Sequence, residues 1–496
     1  MKHQTKSRIW FYGLSLCVLL AVLLSGCATP APTPEPVQAT LPLEDCQLMS
    51  EGMTRNIEAR CGTLNVPEDP ANPAGRQITL AVAVIPAVSR NPQPDPLFLI
   101  AGGPGQSAIA AYPAMVNGAF YDINQDRDLV LLDQRGTGQS NPMECVLPED
   151  EEDIPEEKII ALYQACAQSL NADPRLYTTE IAVGDLDKVR EALGYDQINL
   201  YGASYGTRMA LAYLRRHPDR VRAVILDAVV SPDFYIFANA AADGAQALDK
   251  MFARCAADAA CSETFPDLKT EFAALLAQLE QAPVDLKIPD PVSGEPVSFQ
   301  MTRSRFTNMI FNLLYTPELA ALLPLNIHAA YRDGNFAPLI AQATAGGGAG
   351  LYWGMFYAIL CTEDIPQITP EQAARGAETY FGDMFDMANQ VCEAWPRGEY
   401  PADQNTPLAS DTPVLLLSGE ADPITPPQYA ETVAQTLPNS LHLIAPELGH
   451  GIAMRGCVPR LLTDFIETAS VANLDTACVQ DITPPPFFVS FTGPKP

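Results

Sequence analysis

The chain has 496 residues, 47% hydrophobic and 18% charged, enough apolar material for a large buried core. Thirty Lys and Arg stand against 59 Asp and Glu, a formal net charge of −29 at pH 7. A surface of that sign repels phosphate backbones, which argues against nucleic acid as a partner, and charge alone would not hold it to anionic lipid.

The first segment in chain order has the pattern of an export signal, assigned to residues 1–26. Lys2, Lys6 and Arg8 precede an uncharged apolar stretch, Trp10 to Leu24, and Leu24-Ser25-Gly26-Cys27 supplies small residues for cleavage. The stretch is short of the ~20 residues that span a bilayer. Its ending resembles a bacterial lipoprotein signal, which implies lipidation of Cys27 and a membrane anchor. Ala28 follows where inner-membrane retention would place Asp, so the periplasmic face of an outer membrane is the expected location in a two-membrane envelope. Residues 27–43, rich in Pro, Thr and Ala, read as an extended tether.

Of twelve cysteines, Cys17 leaves with the signal and Cys27 takes the lipid. The even remainder comprises Cys46, Cys61, Cys145, Cys166, Cys255, Cys261, Cys361, Cys392, Cys457 and Cys478. In an exported chain these imply disulfides, and pairing sequence neighbours would close short loops, although spacing leaves the connectivity open. No Cys-x-x-Cys occurs and no histidine stands at ligand spacing from a cysteine pair, so neither a metal nor a cofactor is expected.

Beyond the tether, Gln77 to Ala87, Pro96 to Ile100 and Leu129 to Leu132 read as strands. The latter two are nearly continuous hydrophobics, as in parallel strands buried on both faces. Gly184 to Leu193 has helical periodicity and stops at Gly194; Ile198 to Tyr201 is a strand, Thr207 to Arg216 a helix, and Val221 to Leu226 the next strand. This alternation predicts an α/β fold with a mostly parallel, doubly wound sheet over 44–232. Residues 233–411 then read as helical, with Ala241 to Ala257 and Lys269 to Gln281 as examples, and strands resume at Pro413 to Leu417 and Leu441 to Ile444 within 412–496. An insertion between strands of one sheet folds over its C-terminal edge, so the segment is expected to form a helical cap above a ligand site.

The chemistry centres on Gly202-Ala203-Ser204-Tyr205-Gly206, a GxSxG pattern between a strand and a helix. That strand–turn–helix elbow of the α/β-hydrolase fold presents Ser204 as a nucleophile. A serine hydroxyl needs a base, an orienter for the base and donors for the oxyanion. Of five histidines, His3 leaves with the signal, His217 ends the helix after the elbow, His328 lies in the insertion and His442 within a strand. His450, in Gly449-His450-Gly451, follows the last strand in a loop and is the base. The Ser…acid…His order of the fold makes Asp422 the orienter, with Glu420 its rival two residues earlier. Gly102-Gly103-Pro104-Gly105 follows a strand, so the N–H groups of Gly103 and Tyr205 are the oxyanion donors. That loop lacks the Lys and Ser/Thr of a phosphate-binding P-loop.

Four motifs in fixed order, Gly102 to Gly105, Asp133-Gln134-Arg135-Gly136-Thr137-Gly138, Gly202 to Gly206 and Asp422-Pro423-Ile424-Thr425-Pro426, resemble the tripeptidyl-aminopeptidase and prolyl-aminopeptidase family of serine exopeptidases. The resemblance runs from about Cys61 to Cys478. It implies release of residues or short peptides, such as tripeptides, from the free N-termini of peptide substrates, with a cap carboxylate holding the α-ammonium. Ala358-Ile359-Leu360-Cys361-Thr362-Glu363-Asp364 is similar to the family's stretch bearing that acid, with Glu363 at the matching position and Asp364 second. Arg135 is expected to make structural ion pairs. A carboxylesterase or lipase could use the same triad without a cap carboxylate, and a binding lipoprotein would need no triad at all.

Overall fold

Apolar tetrapeptides bounded by turns build the centre of the sheet. The strands used below are β1 (Glu44–Leu48), β2 (Ile57–Pro67), β3 (Gln77–Ile85), β4 (Leu97–Ile100), β5 (Leu129–Leu132), β6 (Ile198–Ala203), β7 (Val221–Asp227), β8 (Val284–Pro289), β9 (Pro296–Met301), β10 (Val414–Gly419) and β11 (Ser440–Ala445). The longer helices used below are α1 (Glu156–Ser169), α2 (Thr179–Ala192), α3 (Tyr205–Arg216), α4 (Ile236–Ala257), α5 (Leu268–Gln281), α6 (Arg303–Leu314), α7 (Met384–Ala394), α8 (Pro427–Ala434) and α9 (Val458–Thr468). The computed structural model describes residues 40–495 except 51, 147–153, 155, 290–293, 346–349 and 383. The signal, Cys27 and the tether up to residue 39 lie outside the described residues, which all fall in one unit, Ala39–Pro496.

Nine strands form one sheet in the order β1-β2-β3-β5-β4-β6-β7-β10-β11. β1, β2, β3 and β5 pair antiparallel, and every pair from β5 to β11 is parallel. Side chains alternate between the faces. Phe98, Val130, Leu200, Val224 and Leu416 pack against α2 and α3. Their neighbours Leu99, Leu131, Tyr201, Ile225 and Leu417 pack on the other face with α9. Both faces being covered explains the uninterrupted apolar runs of β4, β5 and β10.

Between β7 and β10 the chain forms a separate apolar cluster built from α4, α5 and α6. It is not wholly helical: β8 and β9 make an antiparallel hairpin, pairing Val284 with Met301 and Asp285 with Gln300. The reason is local, since Val284-Asp285-Leu286-Lys287-Ile288 alternates apolar and charged residues with the period of a strand. α1, which precedes the elbow in sequence, packs on α7 through Ile160, Tyr163, Ala388 and Val391. The ten cysteines join their sequence neighbours, as 46–61, 145–166, 255–261, 361–392 and 457–478.

Candidate active site

Ser204 stands between β6 and α3 with φ 54° and ψ −124°, a conformation that costs a non-glycine residue about 1–3 kcal/mol. The surroundings impose it. Its N–H donates to the Asp227 carbonyl at 2.9 Å, and its own carbonyl accepts from the Thr207 N–H at 2.8 Å and the Thr207 hydroxyl at 2.6 Å. Glycine is required on both sides. A Cβ on Gly202 would stand 2.4 Å from the Gly206 carbonyl oxygen, and one on Gly206 2.3 Å from that of Ile100. The sharp turn directs the serine into a cavity of about 2120 Å³ between sheet and cap, lined also by Gly103, Tyr205, Asp364 and His450.

The base and its orienter come from the ends of two neighbouring strands. Asp422, after β10, accepts from His450 Nδ1 at 2.9 Å through Oδ2, with Oδ1 at 3.1 Å. The N–H groups of Ile424 and Thr425 donate to Asp422 Oδ1 at 2.9 Å, and the Thr425 hydroxyl to Oδ2 at 2.9 Å. Burial pushes the Asp422 carboxyl up, but the His450 charge and hydrogen bond and these N–H donors outweigh it and hold it below the usual range. Burial pushes the imidazole of His450 down, yet Asp422, by charge and hydrogen bond, and the charge of Asp227 bring it above its ordinary value. Glu420 turns elsewhere, accepting from the Glu447 N–H at 3.1 Å. The other described histidines are engaged away from the cavity: His217 beside Asp187, His328 on Glu271, and His442 on Ser418, where burial lowers it to about 4.

Gly103 and Tyr205 both border the cavity beside Ser204. Tyr205 is the first residue of α3, where a backbone N–H has no intrahelical acceptor. Gly103 has φ 100°, open to glycine and unfavourable for other residues. Its neighbour Gly102 approaches the nucleophile so closely that a Cβ there would lie 3.0 Å from the Ser204 Cβ.

Glu363 and Asp364 share one guanidinium. Arg208, one turn into α3, donates to Asp364 Oδ1 at 2.7 Å and lies 3.7 Å from Glu363 Oε2. The second Asp364 oxygen accepts from the Ile236 N–H at 3.0 Å. Both Glu363 oxygens accept from Thr179, Oε1 from its N–H and Oε2 from its hydroxyl, each at 2.7 Å. Burial is the main reason the Glu363 carboxyl sits above its usual value, opposed by Arg208 and Thr179. Asp364 and Arg208 border the cavity, whereas Glu363 stands behind them against Thr179. Asp364 thus faces the cavity, although Glu363 stands at the position matching the motif.

Arg135 is fully buried, paired with Asp185 at 2.7 Å and donating to the carbonyls of Glu68 and Leu176, a structural place as expected. Sequence reasoning missed four residues that shape the site. Thr425 supports Asp422, and Asp227 accepts from the N–H groups of Ile452 and Ala453 at 3.0 Å, fixing the loop after His450. Tyr315, just after α6, accepts the His450 N–H at 2.8 Å through its carbonyl and sets its ring edge-on to the imidazole, centroids 5.0 Å apart. Arg208 was signalled only by its place one helical turn after the nucleophile.

The family model for the alpha/beta hydrolase fold matches residues 95–456. The tripeptidyl aminopeptidase of Streptomyces coelicolor is 27% identical over 471 residues, covering 86% of this chain and 84% of that protein. Serine protease Hip1 of Mycobacterium tuberculosis is 31% identical over 192 residues, 35% of this chain and 36% of that one. The proline iminopeptidase of Neisseria gonorrhoeae is 31% identical over 138 residues, 28% and 34% respectively.

Proposed function

The chain belongs to the alpha/beta hydrolase family, and on that premise we propose that it is a serine aminopeptidase acting through an acyl-enzyme. Ser204 Oγ attacks the scissile carbonyl while His450 Nε2 takes its proton, and Asp422 holds the imidazole and stabilises its charged form. The N–H groups of Gly103 and Tyr205 receive the oxyanion. His450 returns the proton to the leaving amine, the C–N bond breaks, and water then cleaves the acyl-serine ester by the same relay.

One observation carries the step from hydrolase to aminopeptidase. Two buried carboxylates, Asp364 and Glu363, share the single guanidinium of Arg208 at the wall of the cavity that holds Ser204. One guanidinium balances one carboxylate, and a substrate α-ammonium would balance the other when both are ionised. Each carboxylate oxygen of Asp364 has one donor, so lone pairs are left for that ammonium. An esterase has no use for such an anion. The relatives named as aminopeptidases point the same way.

We also infer that the chain is exported and anchored through a lipid on Cys27, on the strength of Lys2, Lys6, Arg8, the apolar stretch and the Leu24 to Cys27 ending. Intact mass of the mature protein reads this directly.

The functional test is product analysis by mass spectrometry on unlabelled peptides. Fragments are expected to leave from the N-terminus only, and Ser204→Ala is expected to lower kcat on the order of 10⁶-fold. Internal cuts at N-terminally blocked peptides would contradict the proposal.

A further inference from the structure

The cavity, about 2120 Å³, is larger than the chemistry at Ser204 requires, and a wall away from Ser204 carries charge of the opposite sign. One face of α6 forms that wall through Arg305, Asn308, Met309 and Asn312, the spacing of neighbours on a helix, and Tyr315 and Thr316 continue it just past the helix end. Tyr315 touches His450, so the helix measures distance from the catalytic base. Arg305 lies ten residues earlier, about 15 Å away at 1.5 Å per residue. Asp364, by contrast, is bonded to Arg208, a single turn from Ser204. The acidic position is therefore near the nucleophile and the basic one remote.

Beside Arg305, the β8–β9 hairpin adds Lys287 and, across the ladder, Ser298 and Gln300 to the same wall. Arg305 is held in place. Its Nη1 donates to the Gln300 carbonyl at 2.7 Å, and its guanidinium carbon lies 5.3 Å from the centre of the Phe299 ring. Among the described residues, no acid pairs with Arg305 or Lys287. Asp285, the acid on this wall, accepts from the Gln300 amide at 3.0 Å. On a chain with net charge −29, two cations against the single acid Asp285 give this wall, among the described residues, a positive excess that favours an anionic ligand.

Resting on the aminopeptidase reading, we propose that Arg305 and Lys287 bind a carboxylate on the leaving part of the substrate, so that the enzyme prefers short peptides ending in a free carboxylate. The near anion holds the ammonium and leaves room for few residues before the cut. An extended chain advances about 3.3 Å per residue, so 15 Å corresponds to a leaving peptide of about four or five residues. A long unfolded chain or a folded protein would present no C-terminal carboxylate at that distance.

The test compares kcat/KM of the full chain on peptides with a free N-terminus whose leaving part grows from one to eight residues, each made as the free acid and as the C-terminal amide. A third set ends in an amidated Glu at each length. The free acid is expected to be favoured about tenfold, mainly in KM, at four or five leaving residues and little at one; a tenfold ratio corresponds to ~1.4 kcal/mol. That preference is expected to shrink in Lys287→Gln and in Arg305→Gln and to vanish in the double variant. Amidated Glu peptides cleaved as fast as free acids would assign the site to acidic side chains rather than to the terminus, with carboxylate binding upheld. N-terminal trimming of acid and amide at equal rates at every length overturns the inference and leaves the aminopeptidase proposal standing. Absence of trimming from either overturns both.

Discussion

His450 is subject to opposing influences, and their balance sets the pH dependence. Its folded-state pKa is raised because Asp422 outweighs burial. The imidazole must be neutral to take the proton from Ser204, so the acid limb of kcat/KM is expected above the ordinary histidine value of about 6.5. The stabilising effect of the charged imidazole has the opposite sense: it is complete below that ordinary value and is lost as pH rises through the raised one. Asp422, whose pKa is depressed, contributes stability above its unfolded value that disappears as pH falls through the folded one. Asp422→Asn is expected to move the acid limb down and to lower kcat by about 10⁴-fold. Steady-state profiles of both proteins check this, and an unmoved limb would contradict the assignment of Asp422.

The two adjacent acids separate by readout. Asp364→Asn is expected to raise KM for peptides with a free N-terminus by about tenfold or more, as loss of a buried charge partner does. Glu363→Gln is expected to act mainly on stability, by about 1–3 kcal/mol in urea unfolding, because it weakens the contacts to Thr179. Ser204 and His450 were legible from sequence because each sits in a local motif at a strand end. Which of Glu363 and Asp364 faces the cavity was not, because Leu360–Asp364 forms a π-helical turn. Its wider winding directs neighbouring side chains differently from the α-helical spacing that a motif match assumes.

Among the elements, the elbow and the loop carrying the base set the demands. Gly206→Ala would place a methyl carbon 2.3 Å from a backbone oxygen of β4, which cannot yield without parting the sheet. The variant is expected to lose about 3 kcal/mol or more or to fail to fold, read by urea unfolding. The cap does more than cover the site. The end of α6 clasps the His450 loop so closely that a Cβ on Gly449 would stand 2.3 Å from the Tyr315 carbonyl oxygen. Tyr315→Leu keeps that carbonyl but removes the edge-on ring, and is expected to lower kcat about tenfold with a broadened acid limb, as loss of base positioning does. A change confined to KM would mean that the ring touches substrate instead. The strands of the parallel half were legible because both their faces are buried. The β8–β9 hairpin had a strand period too, but helical segments on either side masked it.

In the whole molecule, the disulfides tie the site to distant chain. Cys361–Cys392 joins the segment carrying Glu363 and Asp364 to α7, and Cys145–Cys166 joins the loop after β5 to α1, which packs on that same helix. Cys361→Ala with Cys392→Ala removes the closure of a 31-residue separation and is expected to cost about 3 kcal/mol in urea unfolding. The doubly wound sheet was legible from alternation alone. The packing of α1 on α7 was not, because contact across more than two hundred residues leaves no local pattern.

The central claim, that a buried anion beside Ser204 selects a substrate α-ammonium, is tested most directly by the kcat/KM ratio for one fluorogenic peptide with its N-terminus free and acetylated. The ratio is expected to be about 100-fold in favour of the free peptide, within the range of a buried charge pair, and to fall towards one in Asp364→Asn. Equal rates on both peptides in the unaltered protein would contradict the account.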